Sequence, residues 1–259
     1  MPELPDVEIY RREAEKAKNS GIESFEIEDK KFIGISESEF NKKLKDERFK
    51  ETTRRGKYLF LSIGKEKAVV MHFGMTGDLK YLKESEDAPD YTKCSFVFKN
   101  KHKLHYISKR KLGHVEFTDN LEDFIEEKEL GPDALETNEK EFVSLLKDKK
   151  SMAKTALTDQ SLISGIGNVY ADEILFQSKI HPKQKTTDLS DADFKSLYKN
   201  TRKVLEKAIE KEAAPSKLPK SYLLPNREEG NDCPRCDGKI KKIKISGRSG
   251  YYCPTCQKK

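Results

Sequence analysis

The sequence predicts an α/β chain of the α+β type: a β-sandwich preceded by one helix, then a helical region, then a metal-tied hairpin. Three observations carry that prediction. Apolar residues alternate along short segments between residues 24 and 119, they recur at three- and four-residue spacing beyond residue 138, and segment 233–259 holds two Cys-x2-Cys pairs.

Along the chain, residues 6–19 place Val7, Tyr10, Ala14 and Ala17 near one face of a first helix, which Ser20-Gly21 ends. Pro2 and Pro5 fix φ and lack amide donors, so Met1 to Pro5 is expected to lie outside regular helix. Strand patterns follow in SFEIE, YLFLSI, AVVMHFGMTGDLKYL, CSFVFKN, KLHYISK and HVEFTD, with a short capped helix, SESEFNKKL, among them. Several short strands in succession indicate a sandwich or barrel. From Asp119 to Lys140 the composition turns acidic. Helical periodicity then governs EKEFVSLLKDK, MAKTALT, NVYADEILFQS and a long segment with Phe194, Leu197, Val204, Leu205 and Ala208 on one face. The expected domains are residues 1–125 for the sandwich, 126–137 as an acidic linker, 138–228 for the helical domain and 229–259 for the hairpin.

With 259 residues, 35% of them hydrophobic, the chain can bury real cores. It has no apolar run of the roughly 20 residues that cross a bilayer, and no signal-peptide pattern, so a cytoplasmic protein without membrane contact is expected. The net charge of +6 is unevenly spread, because segment 233–259 carries eight Lys/Arg against one Asp. Four of the five cysteines lie in that same segment. Cys94 falls in a strand and reads as packing.

Cys233, Cys236, Cys253 and Cys256 are spaced C-x2-C-x16-C-x2-C. Each pair presents two thiolates from one tight turn, which suits a closed, structural Zn2+ site; a disulfide pair or an iron site fits the same spacing. Between the knuckles, Arg248 stands near Gly247 and Gly250 at the end of a basic hairpin, placed to meet a phosphate. In LISGIGNVYADEILF a Gly-x-Gly turn precedes a helix that starts at Asn168, an anion site or an ordinary N-cap. Lys57 opens an apolar strand after two arginines. Met75 between two glycines, with Arg110 and Leu112 in another loop, supplies the wedge that entering a base stack requires. Loss of Met1 leaves Pro2 as a secondary amine with an unperturbed pKa of about 7.7–8.0, partly unprotonated and nucleophilic at neutral pH.

These segments together resemble the formamidopyrimidine-DNA glycosylase and endonuclease VIII family, almost end to end. MPELPDVE, RRGKYL, HFGMTG, KRKLG, LGPDAL, SGIGNVYADEILF…IHP and CPRC…GRSGYYCPTCQ stand in the family's order and spacing, and PELP is similar to the formamidopyrimidine branch. The resemblance implies a helix-two-turns-helix DNA-binding domain with a zinc finger, and a monomer that flips oxidised bases out of damaged double-stranded DNA and excises them. It implies a Schiff base on Pro2 with Glu3 as the acid at the sugar ring oxygen, Lys57 as the second acid/base group, and β,δ-elimination with Arg248 on the phosphates. Asn168, Lys149 and Lys154 carry over as DNA-facing residues, and Met75, Arg110 and Leu112 as the residues that fill the vacated duplex. One structural zinc is implied and no organic cofactor.

The chain departs from the bacterial pattern at Leu112, at Ser108-Lys109, near Tyr91 to Lys93, and in EAAPSKLPKSYLLPN, where the family has a Gly/Ser/Thr-rich loop. The preferred lesion, oxidised purine or oxidised pyrimidine, therefore rests on less than the reaction does. A zinc-ribbon protein that binds damage without cutting is the alternative from another class.

Overall fold

Pro5 does not delay the first helix. Helix α1 spans Leu4–Glu15, two residues ahead of the expected start, because a helix's first amides have no intrahelical acceptor and a proline there costs nothing. The Leu4 amide instead donates to the Gly165 carbonyl at 3.1 Å. The helix also stops before residue 19, in turns that end at Asn19 with φ of 62°.

The computed structural model describes residues 1–29 and 36–258. These fall into two units, one of Met1–Pro2 with Asp6–Lys128, the other of Glu3–Pro5 with Glu129–Lys259. The first unit is a sandwich of two antiparallel sheets. One has the order β1 (Ile22–Ile27), β6 (Thr92–Phe98), β7 (His102–Ser108), β5 (Gly77–Lys83), and the other β2 (Glu51–Arg55), β3 (Tyr58–Ser62), β4 (Ala68–His72), β8 (His114–Thr118).

Strand β2 is polar and charged, ETTRR, so alternation could not show it; it is held by its register with β3, Thr52 against Leu61 and Arg55 against Tyr58. Helix α2 (Glu37–Leu44) has the expected cap, Ser36 accepting from the Glu39 amide while Glu39 reaches back to the Ser36 amide. Phe96 lies fully buried between the rings of Phe25, Phe40 and Phe49, at centroid distances of 4.7, 6.3 and 5.5 Å. Cys94 packs beside them, free and buried.

Strands β3 and β4 are buried on both faces because helix α3 (Leu121–Glu127) covers their far side, Phe124 packing on Phe60 and Val70. The acidic composition of that stretch hid the helix, although Asn120 caps it and Leu121, Phe124 and Ile125 have helical spacing.

The second unit contains α4 (Glu139–Lys147), α5 (Ala153–Leu157), α6 (Asn168–Gln177) and α7 (Asp191–Glu210), followed by the hairpin of β9 (Lys241–Ile245) and β10 (Arg248–Tyr252). Phe142, Leu157, Ile163, Ile174, Phe194, Leu197, Val204 and Leu205 form its core, and Leu4 belongs to it. No helix among the described residues is long and apolar enough to cross a membrane.

Phe96→Ala is expected to lower the stability of the sandwich by about 3–5 kcal/mol, the usual cost of emptying a buried aromatic site. The denaturant midpoint measures it. An unchanged midpoint would show that the ring cluster does not hold α2 to the sheet of β1 and β6.

Candidate active site and nucleic-acid interface

Glu3 is fully buried although it carries a carboxylate. Its two oxygens accept three backbone amides from the start of α6: Gly167 at 2.9 Å and Tyr170 at 3.1 Å on Oε2, Val169 at 2.9 Å on Oε1. A helix's first amides lack partners and its dipole favours negative charge there, so the carboxylate completes the helix end and is fixed by it. Gly167 is the N-cap, and a Cβ at this position would stand 2.3 Å from the Glu3 carboxyl carbon. Gln160 shapes the preceding turn, accepting from the Gly165 amide and donating to the Ile166 carbonyl. The Gly-x-Gly turn thus serves Glu3. Asn168 is the first residue of α6 rather than its cap, a correction to the N-cap alternative.

Pro2, the neighbour of Glu3 in sequence, is half-buried, and Met1 is 56% exposed. Lys57 lies with Gly56, φ 58°, in the two-residue turn joining β2 and β3 rather than within a strand. The Gly56 carbonyl accepts from Arg54 at 3.2 Å, and Arg54 pairs with Glu8 of α1 at 3.5 Å. Burial, helped by the positive charges of His114 and Lys57, pushes His72 down to about 4, which leaves that imidazole neutral at pH 7.

Met75 and Leu112 are 40% and 52% exposed, unusual for large apolar side chains, and Arg110 is exposed beside Leu112. Their loops interlock. The Arg110 amide donates to Thr76 Oγ1 at 2.9 Å, and a Cβ on Gly74, φ 57°, would stand 2.4 Å from the Leu112 carbonyl carbon. Composition did not single out Tyr91, 52% exposed in the left-handed region with φ 65°, with the Lys109 ammonium 5.4 Å from its ring centre.

In the hairpin, Cys233, Cys236, Cys253 and Cys256 bring their Sγ atoms within 4.8 Å of one another, and three pairs are 3.5, 3.6 and 3.7 Å apart. A tetrahedron with Zn–S of about 2.3 Å has edges of about 3.8 Å. The four thiolates therefore fit one Zn2+ with no open position, so the ion supplies structure and no chemistry. The knuckles rest on Phe176, Leu223 and Ile240, and Gln257 ties them to the Ile180 carbonyl at 2.8 Å.

Arg248 is the first residue of β10, exposed after the two-residue turn Ser246-Gly247. Lys149 is exposed after α4. Asn168 Nδ2 donates to the Ser249 carbonyl at 2.9 Å, leaving its second amide hydrogen outside that bond. Lys154 departs from the expectation that it faces DNA. Its side chain is 3% exposed and its Nζ lies 2.6 Å from Asp172 Oδ1, an attraction that opposes the lowering of its pKa by burial.

Family profiles match the whole arrangement in order. The formamidopyrimidine-DNA glycosylase N-terminal domain matches residues 1–115, the formamidopyrimidine-DNA glycosylase H2TH domain residues 130–219, and the zinc finger found in FPG and IleRS residues 230–259. The chain belongs to the formamidopyrimidine-DNA glycosylase family. It is 35% identical to the formamidopyrimidine-DNA glycosylase of Pelotomaculum thermopropionicum, over 100% of this chain and 99% of that one, and 32% identical to that of Lactococcus lactis subsp. cremoris over 100% of both. Among solved structures, a complex of Lactococcus lactis Fpg with DNA containing an abasic site is similar with a TM-score of 0.86 at 30% identity, covering 99% of this chain and 100% of that one. A complex of the wild-type Lactococcus lactis Fpg with DNA containing N7-benzyl-Fapy-dG has a TM-score of 0.87 at 30% identity and covers both chains fully. The formamidopyrimidine-DNA glycosylase resemblance of the sequence, its fold and its zinc finger all stand.

Removing zinc with a chelator is expected to strip amide-exchange protection from β9 and β10 while the sandwich keeps its own. Full protection of the hairpin without metal would show that Phe176 and Leu223 suffice to hold it.

Proposed function

We propose that this chain is a bifunctional DNA glycosylase and AP lyase of base-excision repair, acting on oxidised purines such as 8-oxoguanine and formamidopyrimidines in damaged duplex DNA. The observation that carries this reading is the buried Glu3 carboxylate, fixed by three amides directly beside Pro2. A carboxylate can cap a helix in any protein; what supports catalysis here is that this one adjoins the residue whose nitrogen becomes the terminal amine. Relatives are named formamidopyrimidine-DNA glycosylase, and solved structures of Lactococcus lactis Fpg hold DNA with an abasic site or with N7-benzyl-Fapy-dG.

The chemistry starts once Met1, exposed as it is, has been removed. The neutral Pro2 nitrogen attacks C1′ of the damaged nucleotide; the N–C1′ bond forms and the glycosidic bond breaks, its electron pair leaving with the base. The new ammonium passes its proton to Glu3. Glu3 hands that proton to the ring oxygen, the C1′–O4′ bond opens, and an iminium remains. The proton that Glu3 donates is thus the one that the amine has just lost. Lys57, at the tip of its hairpin turn, serves as the second acid/base group. Elimination at the 3′ and then the 5′ phosphate follows, with Arg248, Asn168 and Lys149 on the phosphates. Met75, Arg110 and Leu112 occupy the space of the extruded nucleotide. The protein works as a monomer on chromosomal DNA in the cytoplasm, away from membranes.

Borohydride added to the processed protein and lesion duplex is expected to give a covalent adduct on Pro2, because reduction makes the iminium permanent. Protein that retains Met1 has an amide at that nitrogen and is expected to give none. Glu3→Gln is expected to bind the lesion yet release the base at least 100-fold more slowly, given the usual ~10²–10⁴ worth of a positioned acid or base. An adduct mapped to Lys57 would falsify the role of Pro2.

Replacing Met75 and Arg110 by Ala is expected to slow excision of a paired lesion roughly tenfold more than that of an unpaired one, since only the first must be unstacked. Equal losses on the two substrates would assign these residues to general binding.

A further inference from the structure

Among the described residues strand β10 has one strand partner, β9, and no strand pairs with its other edge. In an antiparallel pair the backbone groups of alternate residues point away from the partner strand. Here those groups are the Ser249 carbonyl and the Tyr251 amide, and side chains of the helices meet both. Asn168 Nδ2 and Lys154 Nζ donate to the Ser249 carbonyl at 2.9 and 3.4 Å, and the Tyr251 amide donates to Asp172 Oδ2 at 3.1 Å. Asn168 and Asp172 stand four residues apart on one face of α6, which brings them to the strand together.

Asp172 is the centre of this arrangement. Its side chain is fully buried, with Lys154 on Oδ1 at 2.6 Å and the Arg227 guanidinium on Oδ2 through Nε at 2.9 Å and Nη2 at 2.8 Å. Arg227 also stacks over the Tyr251 ring, 4.6 Å from its centre. Gly250 makes the approach possible, because a Cβ there would stand 2.7 Å from Lys154 Nζ and 3.2 Å from Asp172 Oδ1. Arg227 follows the segment where the chain lacks the family's Gly/Ser/Thr-rich loop.

We propose that Asp172, held between Lys154 and Arg227, is a positioning residue that takes the place of a third strand and sets where Arg248 presents its guanidinium. Buried charge groups of this kind contribute little net stability, since well-packed apolar side chains often do as well. What apolar side chains cannot do is accept the Tyr251 amide. The proposal rests on the assignment of Arg248 to DNA phosphates, but half of its test does not.

The test is a double-mutant cycle in the zinc-loaded full chain, with Asp172→Asn and Arg248→Ala made singly and together, and with Arg227→Met as a second probe that leaves the carboxylate in place. Amide exchange of residues 249–252 is expected to rise in Asp172→Asn and in Arg227→Met, whatever the activity. Asp172→Asn is expected to weaken lesion-duplex binding about tenfold and to lower the salt slope by about one, as Arg248→Ala does, and to add almost nothing once Arg248 is gone. Losses that multiply in the double mutant would make Asp172 a folding residue only and overturn the proposal. So would unchanged exchange at β10 in both variants. If Arg248→Ala leaves binding and salt slope unchanged while exchange still rises in the Asp172 variant, the phosphate role of Arg248 fails and the docking of β10 stands.

Discussion

The contact on which the rest of the site depends is the one between the Glu3 carboxylate and the first amides of α6. It joins a problem that every helix has, donors without acceptors, to a problem that this chain has, a negative side chain taken out of water. Each solves the other. The consequence for the terminus is geometric: with Glu3 pinned by three hydrogen bonds, its neighbour Pro2 is held within one peptide unit of a fixed point. The two glycines before the helix are the space in which this happens, since side chains on them would fill the positions of Leu4 and Glu3.

The hairpin obeys a similar economy. The four thiolates organise its base, and the apolar contact with Phe176 and Leu223 seats it, but neither fixes the orientation of its far end. That end is tied by polar groups of α5 and α6 reading the edge of β10 that faces away from β9. The same α6 therefore offers its amides to Glu3 and its side chains to β10, so one rigid element sets the coordinates of the buried acid and of the strand that begins with Arg248.

How much of this could be read from the sequence differs by the kind of signal. Strands with one buried face, such as β5, where Leu79 and Tyr81 pack on the core and Lys80 is exposed, show their alternation, and α7 shows its apolar stripe, because pattern follows solvent. Strand β2 and helix α3 did not show. The first is polar and owes its existence to β3; the second is acidic and fully buries only Phe124, with Leu121 and Ile125 half-buried beside it. The zinc ligands were legible because metal geometry is written in spacing. The proline start of the chain misled, since an absent amide donor forbids the middle of a helix and not its first turn. Asp172 and Arg227, 55 residues apart, carry no pattern that links them, and Lys154 reads as a surface lysine until its partner is seen. Tyr91 could have been suspected only from its departure from the family's residue.

The alternation along β10 has a further consequence, for the history of the chain. Side chains and edge groups along a strand swap faces at every step. A single residue gained or lost within β10, between Arg248 and Tyr251, would turn one of the two to the wrong side. Substitution of the exposed lysines of β9 disturbs neither. The exposed lysine positions are thus freer in composition than β10 is in length.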